Sequence, residues 1–271
     1  MFPEDFIAAV SQGDAGIRKA LANLDQVTET FAASFEGEPS EVAGCSVLSA
    51  GESDIASHVA NHVGLTQWLL GRRMCDQLVD FVSALQTHRV FAAALLGRAV
   101  IETSAACIYW EERLKVPLGQ SARDLLDDLH LMSAGGRFDW IAMREGTPAR
   151  EVLKLYGKGK DPEVPQERRA PNVVTMLDKL DRRLAPDGEA GVVRAVYSML
   201  SDFCHPAVGT ALVLTEPSAR RGFIRLKGAP GIKETRWFFW NLGTIIGPVA
   251  VSALGSLRAL AARHAQPTEV A

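Results

Sequence analysis

The chain has 271 residues, with 29 Lys plus Arg against 32 Asp plus Glu, 47% hydrophobic residues and 7% aromatic ones. This excludes a disordered or fibrous chain, and at this length about 75% of the unfolded surface is buried on folding, so neither disulfides nor metal are needed to complete a core. A net charge of −3 argues against wholesale wrapping by nucleic acid, which is driven by replacing counterions with Lys and Arg.

Cys45, Cys75, Cys107 and Cys204 form no C-x-x-C pair, and the start MFPEDF has no basic stretch leading into an apolar run. A reduced, cytoplasmic protein is therefore expected.

Helical spacing runs through most of the chain. From Ala15 to Ser34, Ile17, Leu21, Leu24, Val27 and Phe31 recur every three or four residues, which defines one helical stripe. Residues 35–53 carry Gly, Pro and Ser too often for a helix and are expected to form a loop, with Ser53 or Asp54 as the next N-cap. From Asp54 to about Gln86 the spacing predicts one long helix, with a kink or a close helix contact at Gly64 and Gly71. Val90 to Trp110 contains only Arg98 and Glu102 as charges, so this helix is expected to be surrounded by protein.

After Pro117 a short amphipathic helix is expected from Ser121 to Met132, and residues 144–171, rich in Gly, Pro and charge, read as a mobile insertion loop. Helical spacing returns over Val173–Leu184 and Gly188–Phe203 and ends at Pro206. The runs ALVLT and FIRL between Thr210 and Lys227 predict a small β-hairpin near 210–227. The stretch Trp237–Leu257 carries no charge across 21 residues, long enough to span a bilayer. Its Asn241, Thr244, Ser252, Ser256 and Pro248 favour a core helix instead. The expected architecture is all-α: a single-domain bundle of six or seven main helices with a small hairpin.

Charge inside an apolar helix is costly unless paired, which singles out Arg98 and Glu102, four residues apart on one face. Tyr197, Ser201 and His205 repeat that spacing on a later helix. If the two stripes face each other, they form a buried polar centre, either a lock between helices or a small-ligand pocket.

The segments LLGRAVIETSAACIYW (Leu95–Trp110) and YSMLSDFCHP (Tyr197–Pro206) together resemble a bacterial family of helical proteins catalogued as a domain of unknown function. The resemblance covers roughly Val90 to Gly209. It implies a helical fold and shared polar residues, and no established reaction. Such families are loosely grouped with HEPN modules, many of them ribonucleases with Arg and His on one helix, usually paired across a dimer. Arg123 and His130 have that spacing, which arises by chance about once in a chain of this composition. A HEPN-like ribonuclease is thus the alternative function.

A metal-binding bundle is a further alternative, since Asp54, His58 and His62 share one helix face. The basic run KLYGKGK (Lys154–Lys160) could grip a phosphate. No nucleophile elbow, Walker loop or dinucleotide fingerprint is present, so no cofactor is expected. The expected partners are a second copy of the chain, because long helices with several apolar faces need more neighbours than one, and a small ligand or RNA. No membrane partner is expected.

Overall fold

The computed structural model describes residues 1–35, 55–114, 146, 172–185, 191–204, 213–220 and 223–264. Among these residues are eight α-helices and one two-stranded sheet. The fold is all-α with a small antiparallel hairpin, and the helix at its start, α1 (Glu4–Ser11), lies outside the expected set.

Helix α2 (Ala15–Phe35) buries Ile17, Leu21, Leu24, Val27 and Phe31, the stripe read from its spacing, and also Phe35, a residue expected in the following loop. Asp14 starts it by accepting a hydrogen bond from the Ile17 amide at 3.0 Å, satisfying one of the free donors at a helix N-terminus. Helix α3 (Ile55–Gln86) is continuous and packs on α2. At Gly71 a Cβ would fall 2.3 Å from the Phe35 ring, so this glycine permits a close helix contact. A left-handed His88 (φ 58°) turns the chain into α4 (Val90–Leu114).

Helix α4 is the centre of the bundle, touching α3, α5 (Val173–Leu184), α6 (Val192–Cys204) and α8 (Ile246–His264). Its small buried residues Ala93, Ala94, Gly97, Ser104 and Ala105 let these neighbours approach from several sides. Asn172 caps α5 through the Thr175 amide. Asp181, buried on α5, caps α6 by accepting from the amides of Val193 and Arg194 at 2.7 and 3.2 Å.

The expected hairpin is shorter than its sequence window. Val213 and Leu214 are helical, and only β1 (Thr215–Pro217) and β2 (Ile224–Leu226) pair, with Glu216 opposite Arg225. The charge-free run Trp237–Leu257 is broken into two. Helix α7 (Ile232–Asn241) ends at Leu242, a 3-10 turn spans Gly243–Ile245, and α8 follows. Pro248 lies in the first turn of α8, where its missing N–H costs nothing.

Val90–Leu114 and Gly243–Ala262 are both long and apolar enough to cross a membrane by length and composition. Here they pack against each other, with 56% and 50% of their most apolar windows buried.

Candidate functional site

Gly97 borders the polar site on α4. A Cβ there would lie 3.2 Å from Phe81, 3.4 Å from Ile246 and 3.6 Å from Leu200. Only the Phe81 contact is tighter than ordinary packing, so glycine here makes room for that ring, and Arg98, the next residue, reaches Tyr197 on α6. Arg98 Nε donates to Glu102 Oε1 at 3.1 Å, and its Nη2 donates to the Tyr197 hydroxyl oxygen at 3.0 Å. Tyr197 in turn donates to Glu102 Oε1 at 2.7 Å. The guanidinium carbon stands 5.1 Å from the Tyr197 ring centroid. The three side chains therefore close a triangle of charge-assisted hydrogen bonds across two helices.

The electrostatics keep Arg98 and Tyr197 in the form the triangle needs. Burial works against the Arg98 charge, but hydrogen bonds to Tyr197 and Cys204 and the charge of Glu102 hold its pKa above the ordinary value. Burial and the bond to Glu102 push the Tyr197 phenol up, against the opposing pull of Arg98, so it stays a donor at neutral pH.

Two expectations about this centre are corrected. It is half-buried rather than buried, with 31% of the Arg98 and 31% of the Glu102 side chain exposed, because long charged side chains cover apolar helix surface with their stems while their heads reach water. Ser201 does not join it. Its hydroxyl donates to the Tyr197 carbonyl at 2.8 Å on its own helix, the local bond that Ser makes when placed four residues along a helix. His205 lies outside the described residues.

The deeply buried charge is elsewhere on α4. Glu111, 8% exposed at its side chain, accepts from Arg183 Nη1 at 2.5 Å and from Ser256 Oγ at 2.7 Å. Arg183 also donates to Ser256 at 2.8 Å. Lys179 pairs with the adjacent Glu112 and sits 5.3 Å from the Tyr109 ring centroid. This network ties α5 and α8 to the end of α4. Sequence reasoning missed it because Glu111 follows the apolar run and reads as a solvated helix end. The available signal was Ser256, a polar residue within the charge-free run Trp237–Leu257.

The other predicted positions are not brought together among the described residues. Arg123, His130, Asp54 and the basic run Lys154–Lys160 lie outside them, as does the His58 side chain, while His62 is half-buried on α3. Among the described residues no group of three His, Cys, Asp or Glu side chains is placed to hold a metal ion. Compared with models of protein families, with curated proteins and with solved structures, the chain matches none.

Chemically, the triangle fixes a guanidinium beside a carboxylate and a phenol: among the described residues, the oxygens that Arg98 meets belong to Glu102 and Tyr197, at Nε and Nη2.

Proposed function

We propose that the chain is a cytosolic helical binding protein in which the Arg98–Glu102–Tyr197 triangle receives the carboxylate or phosphate group of a small ligand. The observation that carries this reading is the combination of a preorganised guanidinium, held by Glu102 and Tyr197 from two helices, with about a third of its side chain open to solvent. As a half-exposed ion pair it contributes only modestly to stability. An accessible, fixed guanidinium serves recognition, because its orientation is settled before the ligand arrives.

The test is thermal denaturation of the full chain with acetate, succinate, glycine and inorganic phosphate, each compared with chloride at equal ionic strength. A ligand that binds only the folded state raises the melting temperature with concentration. The expected result is a rise with at least one of these anions that disappears in Arg98→Lys, because lysine keeps the charge and loses the planar fork. No rise with any of them, or an equal rise in the variant, would refute the proposal.

A further inference from the structure

The surface formed by the hairpin and α7 has a composition unlike the rest of the chain. Between Thr215 and Asn241 the basic residues are Arg220, Arg221, Arg225, Lys227, Lys233 and Arg236, against the acidic Glu216 and Glu234, a local charge of +4 in a chain of net charge −3. Lys227, at the base of the hairpin, is bonded to Glu234 on α7 at 3.0 Å. The two elements are thereby tied together, and a cleft of about 350 Å³ runs between them, lined by Val213, Lys227, Lys233, Glu234 and Trp237. A second cleft of about 270 Å³ shares Lys233 and Trp237 and continues along α7 past Arg236 and Trp240.

The same surface exposes apolar side chains that an ordinary hairpin would cover. Ile224 and Leu226, on one face of β2, are 70% and 80% exposed, and Phe223 beside them is 52% exposed. Trp237 and Trp240 are 40% and 41% exposed on α7. Basic residues interleaved with aromatic ones suit either single-stranded nucleic acid or an anionic bilayer surface, and the exposed aliphatic side chains favour the second. Base stacking needs open ring faces. Here Arg236 lies over Trp240 at 5.1 Å, Arg220 lies over Phe223 at 3.9 Å, and Trp237 packs on Phe203 with centroids 6.2 Å apart. Exposed aliphatic residues, in turn, gain nothing from nucleic acid and much from the acyl boundary of a bilayer, where Trp favours the headgroup level and Lys and Arg meet anionic lipid.

We infer that the hairpin and α7 form a peripheral membrane-docking surface for anionic lipid bilayers, with Phe223, Ile224 and Leu226 entering the interface and Arg220, Arg225, Lys233 and Arg236 meeting the headgroups. The docking is reversible, because three apolar side chains and a basic patch bury far less than a spanning helix does. It does not depend on the Arg98 site.

The experiment is co-sedimentation of the full chain with phosphatidylcholine vesicles, with and without phosphatidylserine. The chain should pellet with the anionic vesicles and stay in the supernatant with the neutral ones, and the bound fraction should fall as salt is raised. Lys233→Glu with Arg236→Glu should weaken binding by at least about fivefold per charge. Ile224→Asp with Leu226→Asp should abolish it, and because both residues are exposed, circular dichroism should show an unchanged melting curve. No pelleting with either vesicle, or pelleting that neither double variant alters, would overturn the inference. Binding of an oligothymidylate by a chain that ignores the vesicles would also overturn it and assign the surface to single-stranded nucleic acid.

Discussion

Glu111→Ala is expected to be the most damaging single charge removal among the acidic residues of α4. The carboxylate is 8% exposed and holds Arg183 and Ser256, and the Ser256 side chain is wholly buried. Breaking a buried ion pair from one side costs about 3–5 kcal/mol. Arg183 is 29% exposed and has Glu112 at 3.8 Å, so it regains some water and some charge, which brings that share to about 2–3 kcal/mol. Ser256 still accepts from Arg183 but loses the acceptor for its own proton, adding about 1 kcal/mol. The total of about 3–4 kcal/mol should move the urea midpoint down by more than about 1 M at the slopes usual for chains of this kind. Glu102→Ala, by contrast, leaves Arg98 bonded to Tyr197 and partly solvated, and should cost only about 1 kcal/mol. Urea denaturation of the two variants, followed by circular dichroism, gives the comparison. A Glu102→Ala loss equal to or larger than that of Glu111→Ala would refute the reasoning about where the buried charge lies.

Gly97→Ala should cost about 1–3 kcal/mol, since its Cβ crowds the buried Phe81 ring at 3.2 Å, and a melting temperature equal to the parent's would show that this ring shifts freely. Burial pushes the Cys107 thiol up to about 12, so iodoacetamide at pH 8 should spare Cys107 in the folded chain and label it only after denaturation, as read by peptide mass spectrometry. Burial opposes the Glu234 charge, but the bonds from Lys227 and the Gly231 amide lower its pKa below the ordinary glutamate value. Its contribution to stability is therefore present above the unfolded-state pKa and lost as pH falls through the folded one. Glu234→Gln should flatten the fall in stability through the acid range relative to the parent.

How far the sequence carried the account differs from residue to residue. Arg98 and Glu102 were legible because two charges in an apolar run need partners, and Tyr197 because its stripe ends a helix of matching character. Ser201 shared that stripe but bonds to its own backbone, a choice that spacing alone does not distinguish from a contact between helices. Glu111 was illegible because its partners come from helices about 70 and 145 positions away in the chain, and only packing reveals that the end of α4 is covered. The break between α7 and α8 was hidden for a different reason. It falls at Gly243, where a Cβ would lie 2.5 Å from the ring of Phe239, four residues earlier on α7, so the cause is a local close approach rather than a proline. The short helix α1 follows Pro3 and spans only eight residues, too few to show a periodic pattern.

The claim that Arg98 is a ligand-binding guanidinium is tested most directly by nuclear magnetic resonance of the arginine Nε–H groups in the full chain. Titration with succinate and with inorganic phosphate should shift the Arg98 resonance saturably, identified by its loss in Arg98→Lys, while the Arg183 resonance stays in place. An Arg98 resonance that does not move with either anion, or that moves no more than the exposed arginines do, would contradict the account.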